Sequence, residues 1–324
     1  MIKVNNIPVE LGHFPDGTFH LKGNPALAET TVILSWHYEN DAEFMALAFL
    51  TKYYQVRRNK VVLYMPYVPN ARMDRIETPE DIFTLKYFGK LINSLDFEKV
   101  YVMDVHSNVA TAVIDHCVML DNPMFNAVVD EIVKAAGEIP LIFFPDEGAM
   151  KRYSKGMMIP YAYGMKKREW GTGNILGLEI MGVTEEQVKG KSVLIQDDIC
   201  SKGGTFYYAA KKLKEMGASN IYLMVTHCEN NIHNGEFGED KVNLLDTGLI
   251  EKVYTTDSIY TAGSEKVIVA STGLTFGCVF ENTAEPEVKD TCNGEDCVCG
   301  VNCKHCDCPK DCEELVGKEG ATHE

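Results

Sequence analysis

Short apolar runs rich in β-branched residues recur along this chain, and amphipathic stretches separate them. Runs of this kind are typical of strands that are buried on both faces of a parallel sheet. They occupy residues 31–35, 61–65, 100–103, 141–144, 193–195 and 221–225. Helical periodicity predicts helices over 41–54, 82–95 and 205–216, the last of them ending before Gly217. Strands that alternate with helices predict an α/β fold with a mainly parallel sheet.

Length and composition predict two folded domains and a tail. With 324 residues, the chain can build two domains of about 130 to 150 residues each. We place the division in the helical stretch near residues 122–139, which gives domains over 1–135 and 136–280. From 281 to 324 the sequence is acidic, rich in Gly and Cys and poor in large apolar residues, so it cannot build an ordinary core.

The distribution of charge and of cysteine excludes several classes of protein. The net charge is −16, from 47 acidic and 31 basic residues, which argues against a nucleic-acid surface and against docking to anionic lipid. The first residues lack the apolar core of a signal peptide, and no apolar run approaches the ~18 residues of a membrane span. Because the cysteines concentrate in the tail, the body is typical of a reduced, cytoplasmic protein.

The most informative stretch is an apolar run that leads into paired acids and a glycine turn. After the run come Asp197, Asp198, Ser201, Lys202, Gly203, Gly204 and Thr205, and a helix follows. Glycines let the backbone approach a phosphate, and a helix N-terminus adds favourable partial charge. Two carboxylates at the edge of a parallel sheet can accept hydrogen bonds from ribose hydroxyls or bind Mg²⁺. An ordinary tight turn needs no such pair of acids, so the stretch predicts a sugar-phosphate site.

Five further segments carry residues suited to a triphosphate and a metal ion. In chain order they are Phe14-Pro-Asp16-Gly-Thr18, Pro66-Tyr-Val-Pro-Asn-Ala-Arg72-Met73-Asp74-Arg75, Asp104-Val-His106-Ser, Pro145-Asp146-Glu-Gly and Lys166-Lys-Arg168. Their order and approximate spacing resemble the ribose-phosphate diphosphokinase family over residues 10–260. The glycine turn is similar to the phosphoribosyl diphosphate loop of that family and of type I phosphoribosyltransferases. The resemblance implies two phosphoribosyltransferase-like domains, each a mainly parallel sheet flanked by helices.

The resemblance also implies a role for each of these residues. It implies that ATP binds Phe14, Asp16, Arg72, Asp74, Arg75 and His106, with the first two reaching the adenine across a subunit interface. It further implies a Mg²⁺ site at His106 and Asp146, catalytic cations at Lys166 and Arg168, and a ribose-phosphate site at Asp197, Asp198, Ser201, Lys202, Gly203, Gly204 and Thr205. Positioned cations are what phosphoryl transfer requires. A shared adenine site implies a homo-oligomer, either a dimer or a hexamer.

Three departures from that family's pattern bear on the substrate. Ser201 stands where the family usually carries an acid, and Lys202 stands where a small hydroxyl residue is usual. Thr18 and Met73 replace a glutamate and a glutamine near the adenine site. A glycine-containing turn is replaced by Cys228-Glu-Asn-Asn. Because Lys202 adds positive charge beside the loop, the acceptor is either ribose 5-phosphate or a larger molecule such as ADP-ribose.

The tail carries a dense cluster of cysteines. They are Cys292, Cys297, Cys299, Cys303, Cys306, Cys308 and Cys312. Cys-x-Cys and Cys-x-x-Cys spacings bring several thiolates within reach of one soft cation, and Zn²⁺ is the usual occupant. The tail is therefore predicted to bind Zn²⁺, and the alternative is a disordered tail or one with oxidised thiols.

Together the motifs predict a Mg²⁺-dependent enzyme that transfers the β,γ-diphosphoryl group of ATP to the C1 hydroxyl of a phosphorylated ribose. The products are AMP and a ribosyl 1-diphosphate. Two alternatives stay open: a phosphoribosyltransferase that consumes the ribosyl diphosphate, and a catalytically silent relative that regulates an active enzyme in mixed oligomers. Production of AMP from ATP distinguishes the diphosphokinase from both.

Overall fold

The structure, a computed structural model, describes residues 1–23, 30–168 and 175–273, and the side chains of 166–168 and 175–177 are not described. The described residues belong to one compact unit. Two large sheets and a small hairpin make up its strands. The part of the chain that the structure describes contains no helix with the length and apolarity of a membrane span.

The first large sheet is built from the N-terminal part of the chain. Its strands are β1 (Ile2–Val4), β2 (Ile7–Pro8), β5 (Thr31–Trp36), β6 (Lys60–Tyr64), β7 (Lys99–Met103) and β8 (Cys117–Leu120), and the separate hairpin consists of β3 (Gly12–His13) and β4 (Phe19–His20). Across the sheet the order is β2-β1-β5-β6-β7-β8. Strands β5 to β8 are parallel, and β1 and β2 form an antiparallel edge. The parallel strands are connected by α1 (Glu43–Val56), α2 (Thr84–Asn93) and α3 (Asn108–Val113).

The second large sheet follows helix α4 (Phe125–Ala136). Its strands are β9 (Leu141–Phe144), β10 (Tyr161–Arg168), β11 (Ile175–Met181), β12 (Val193–Cys200), β13 (Ile221–Cys228), β14 (Lys252–Thr256) and β15 (Val267–Ala270). The order is β11-β10-β9-β12-β13-β14-β15, and only β11 is antiparallel to its neighbour. The remaining helices are α5 (Glu147–Tyr153), α6 (Glu185–Val188) and α7 (Gly204–Glu215), with short 3-10 helices at Asn230–Asn234 and Leu244–Asp246.

Apolar side chains cover both faces of the second sheet, as its continuous hydrophobic strands require. On β12, Leu194 packs in one cluster with Val128 and Ile132 of α4. The next residue, Ile195, lies in a second cluster with Leu213 of α7. Helix α4 therefore packs on the second sheet, and the division between residues 135 and 136 stays a prediction.

The six predicted strands and three predicted helices are present, and β12 and β13 extend furthest beyond their predicted ends. The parallel pairing of β12 with β13 continues from Asp197 opposite Val225 to Cys200 opposite Cys228. Asp197 and Asp198 therefore lie inside β12 and not after it, and their side chains leave the strand on opposite faces. The predicted end of α7 is confirmed, since Gly217 has a φ of +88° and its N–H closes the last turn.

Candidate active site

A glycine turn joins β12 to α7 and can receive an anion. Gly203 has a φ of +93°, in the left-handed region that favours glycine, and a Cβ atom there would lie 2.6 Å from Leu244 Cδ2. Helix α7 begins at Gly204, so the unpaired N–H groups of its first turn lie at the loop. Lys202 and Thr205 are exposed beside them. Backbone N–H groups, an ammonium group and a hydroxyl together form a site suited to a phosphate.

The carboxylate of Asp198 is buried and has a partner at each oxygen. His106 Nδ1 lies 2.8 Å from its Oδ2, and Arg152 Nη1 lies 2.9 Å from its Oδ1. The arginine contact is an ion pair and not an aligned hydrogen bond. Burial opposes the charged form, but the hydrogen bond from His106 and the charge of Arg152 outweigh it and lower the pKa of Asp198 to about 2. Asp198 is therefore ionised and accepts a hydrogen bond from His106 Nδ1.

Arg152 is a site residue that the sequence analysis does not identify. It lies on α5, and its Nη2 donates a hydrogen bond to the backbone carbonyl of His106. Together with the ion pair to Asp198, this contact joins three segments: the loop after β7, helix α5 and strand β12. A basic residue in the last turn of a helix is ordinarily explained by the helix dipole, so its position in the sequence carries no separate signal.

Asp197 and Asp146 form a second acidic pair at the same sheet edge. Asp146 caps the N-terminus of α5, where its Oδ1 accepts a hydrogen bond from Ala149 N at 3.0 Å. Burial, the charge of Asp198 and the charge of Asp146 raise the pKa of Asp197 well above its usual range. No group of three or more His, Cys, Asp or Glu side chains in the described ranges could hold a metal ion alone. Two carboxylates do suit Mg²⁺, which keeps several waters and takes further oxygens from substrate phosphates.

A buried hydrogen-bond network connects the two sheets next to this site. Asp104 accepts hydrogen bonds from Tyr153 Oη at 2.9 Å and from Thr226 Oγ1. His227 Nε2 lies 3.1 Å from the carbonyl oxygen of Met103. Burial raises the pKa of Asp104 to about 6 and lowers the pKa of His227 to about 4. Because Thr226 and His227 lie at the end of β13 and Asp104 directly follows β7, the network joins the ends of these two strands.

Glu229, which the sequence analysis does not single out, contacts two of the predicted site residues. Its Oε1 lies 2.7 Å from Arg72 Nη2, and its Oε2 accepts a hydrogen bond from Ser201 Oγ at 2.6 Å. The carboxylate thus connects the segment predicted to bind ATP with the glycine turn. The only trace of it in the sequence is the unusual Cys-Glu-Asn-Asn after His227.

Other predicted site residues lie apart from this cluster. Phe14 and Asp16 occupy the exposed tip of the β3–β4 hairpin, where Asp16 Oδ1 accepts hydrogen bonds from Thr18 N and Thr18 Oγ1 at 2.9 and 2.7 Å. Arg75 is 73% exposed and pairs with Glu77 at 2.8 Å. Asp74 is half-buried in the same loop.

The remaining predicted positions are only partly described. Lys166 and Arg168 lie at the end of β10, where their backbones pair with β11, and their side chains are outside the described residues. The predicted zinc ligands Cys292, Cys297, Cys299, Cys303, Cys306, Cys308 and Cys312 also lie outside the described residues.

Comparison with known proteins identifies relatives along most of the chain. No protein-family model matches. The ribose-phosphate pyrophosphokinase of Pyrococcus abyssi is 28% identical over 272 residues, which cover 82% of this chain and 89% of that protein. The enzyme of the same name from Thermococcus kodakarensis is 26% identical over 265 residues, covering 81% and 90%.

A solved structure shares the fold. The phosphoribosylpyrophosphate synthetase from Mycobacterium smegmatis matches with a TM-score of 0.65 at 18% identity, over 85% of this chain and 91% of that chain. The predicted fold class is thereby confirmed. The chain is a ribose-phosphate pyrophosphokinase-like transferase, related in sequence to these enzymes along about four-fifths of its length.

Proposed function

We propose that this chain transfers the β,γ-diphosphoryl group of ATP to the C1 hydroxyl of a phosphorylated ribose and releases AMP and a ribosyl 1-diphosphate. The observation that carries the proposal is a chain of contacts from Ser201, beside the glycine turn, through Glu229 to Arg72. Arg72 lies in the segment that the sequence predicts to bind ATP. A phosphate site for one substrate thus lies beside a cationic segment suited to the other. The relatives named pyrophosphokinases support the same reaction class.

The acceptor's phosphate binds the glycine turn in this proposal. The backbone N–H groups of Gly203 and Gly204 and the hydroxyl of Thr205 contact the phosphate oxygens. Asp197 accepts hydrogen bonds from the ribose hydroxyls. Asp198 has a different part, because both of its oxygens already have protein partners. Its part is to hold His106 in one tautomer and one orientation.

The ATP side of the site uses Arg72, His106 and Asp146, and Mg²⁺ neutralises the phosphate charge when it is bound. Asp146 and Asp197 would supply the oxygen ligands that Mg²⁺ prefers. Because Asp198 occupies Nδ1, the Nε2 atom of His106 remains available to a phosphate or a metal ion. Arg72 is 47% exposed and keeps further N–H donors for phosphate oxygens.

The chemical step is a substitution at the β-phosphorus of ATP. The ribose C1 hydroxyl loses its proton to solvent, its oxygen forms a bond to that phosphorus, and the bond to the bridging oxygen of the α-phosphate breaks. That oxygen keeps the electron pair and leaves as part of AMP. Lys166 and Arg168, at the end of β10, stabilise the charge that develops on the phosphate oxygens.

The exposed hairpin and the tail complete the proposed organisation. The hairpin tip carries Phe14 at 51% exposure, which suits a contact with the adenine bound to a neighbouring subunit. We therefore propose a homo-oligomer, a dimer or a hexamer, that works in the cytoplasm. The cysteine tail binds Zn²⁺ outside the chemistry.

The acceptor is ribose 5-phosphate or a larger molecule such as ADP-ribose. Lys202 is exposed beside the glycine turn, where its ammonium group can meet a second phosphate. Both acceptors are to be incubated with ATP, Mg²⁺ and the protein, while AMP and the ribosyl diphosphate are followed by chromatography and phosphorus NMR. AMP from either acceptor supports the proposal and identifies the substrate. If neither acceptor gives AMP, the diphosphokinase function is refuted.

A further inference from the structure

We infer that Glu229 is a positioning residue that holds Arg72 and Ser201 in one geometry and supplies the carboxylate that the glycine turn lacks at residue 201. The inference rests on the proposed function, since it concerns the same site. In this inference the side chain of Glu229 connects the segment that contains Arg72 with the glycine turn. Two departures of this sequence, the serine at 201 and the glutamate at 229, then have a common explanation.

Glu229 is anchored through its backbone as well as through its side chain. Its backbone N–H donates to the carbonyl oxygen of Cys200 at 2.8 Å, so it is fixed to the last residue of β12. Its side chain is only 22% exposed and has a partner at each oxygen, Arg72 at 2.7 Å and Ser201 at 2.6 Å. Asn231 Nδ2 adds a longer contact to Oε2 at 3.2 Å. A carboxylate with this many partners has one defined position.

The register of the two strands places residues 201 and 229 beside each other. Cys200 lies opposite Cys228 in the parallel pairing of β12 and β13, so the next residue on each strand emerges at the same level of the sheet edge. A carboxylate on either strand can therefore occupy this position. Here it comes from Glu229, the residue that directly follows β13, and not from the glycine turn.

Each contact of Glu229 has a consequence for a substrate group. Arg72 is half exposed, and a long side chain of this kind samples many rotamers unless a partner holds it. Glu229 binds one edge of its guanidinium group and leaves the other donors for phosphate oxygens. Ser201 commits its hydroxyl hydrogen to Glu229, which leaves the oxygen's lone pairs for a donor on the acceptor, such as a ribose hydroxyl.

Glu229 also lines an open cavity of about 660 Å³ together with Tyr38, Tyr67, Asn230 and Asn231. The carboxylate thus forms part of the wall of a space large enough for a substrate group.

The test compares Glu229→Gln with Glu239→Gln, which removes the same charge from an exposed position in the same segment. We expect Glu229→Gln to raise the KM for ATP about ten-fold or more, as the loss of a charge-assisted contact predicts, with a smaller fall in kcat. Glu239→Gln should leave both constants unchanged. Melting temperatures near that of the wild type in both variants show that the fold is kept.

Reciprocal substitution tests the carboxylate itself. Ser201→Asp alone should impair activity, because its carboxylate faces that of Glu229 across a hydrogen-bond distance. The double variant Ser201→Asp/Glu229→Gln has one carboxylate again and should recover at least half of the loss on a logarithmic scale. A double variant that is no better than the worse single variant overturns the inference, and so does an equal KM for ATP in Glu229→Gln and Glu239→Gln.

The proposed function and the inference about Glu229 can be refuted independently of each other. If the wild type gives AMP but the variants behave alike, only the inference about Glu229 fails. If the wild type gives no AMP, the proposed function fails, and the inference is decided by calorimetry of Mg-ATP binding. A Kd for Mg-ATP about ten-fold weaker in Glu229→Gln than in Glu239→Gln then supports it, and equal values overturn it.

Discussion

Replacing Arg152 with methionine should destabilise the folded protein by about 3 kcal/mol at pH 7. Methionine keeps most of the apolar stem but leaves the Asp198 carboxylate, which is 4% exposed, without its cationic partner. A folded-state pKa of about 2 for Asp198, against about 3.9 in an unfolded chain, corresponds to about 2.6 kcal/mol at neutral pH. Removing one partner of a buried ion pair costs about 3–5 kcal/mol. The lower end applies because Arg152 is 28% exposed and His106 still supports the carboxylate.

The assay is urea unfolding at pH 7 of Arg152→Met, Asp198→Asn and the double variant. An asparagine at 198 carries no charge that could be left unpaired, so Arg152→Met should cost at least about 1.5 kcal/mol less in that background. Lys151→Met is the control, since it removes a cation from the same helix whose exposed contact with Glu147 contributes about 0.5 kcal/mol or less. The reasoning is refuted if Arg152→Met costs no more than Lys151→Met, or if the double-mutant cycle shows no coupling.

Three further predictions concern the turn, the buried histidines and the tail. Gly203→Ala should lower the free energy of unfolding by about 2 kcal/mol or more, because Gly203 has a left-handed φ and an added Cβ would contact Leu244. A Cβ at Gly204 meets its nearest atom only at 3.7 Å, so Gly204→Ala should be neutral or stabilising. Equal effects of the two substitutions in chemical denaturation would contradict this prediction. Burial lowers the pKa of His37 and of His227 to about 4, below the unfolded value of about 6.5, so stability is complete above pH 6.5 and is lost as the pH falls towards 4. Each histidine should lower the free energy of unfolding by about 2 kcal/mol as the pH falls from 7 to 5. Substituting either histidine by glutamine should flatten the pH dependence of this free energy, measured by urea unfolding. An unchanged slope would exclude the substituted histidine as a cause of the pH dependence. Removing residues 285–324 should abolish zinc binding measured by atomic absorption, and equal zinc content in both chains would exclude the tail site.

The architecture is predictable from the sequence because its signals are local. Apolar β-branched runs such as Leu141–Phe144 and helical periodicity such as that of Gly204–Glu215 are properties of a few neighbouring residues. The end of β12 is different, since it depends on main-chain pairing with β13 across the sheet. That is why Asp197 and Asp198 were expected after the strand and lie inside it.

The residues of the candidate site also divide into those predictable from local sequence and those that depend on distant contacts. The glycine turn is a contiguous pattern, and the sequence alone predicts it. Arg152 reaches His106 across 46 residues of chain, and Glu229 reaches Ser201 across 28. Contacts of this kind depend on how strands and helices pack, and an isolated arginine or glutamate has no neighbouring residues that indicate a partner.

The paired lengths of β12 and β13 limit how the chain can change by insertion or deletion. Each residue of a strand advances the chain by about 3.3 Å and reverses the face on which the next side chain emerges. One residue added between Val193 and Cys200 would therefore move Ser201 away from Glu229 and turn the two aspartates towards the opposite helices. In these two strands an apolar side chain can be replaced by another of suitable size, but the number of residues cannot change. By contrast, the exposed stretch at 238–241 can change length without altering the register of β12 and β13.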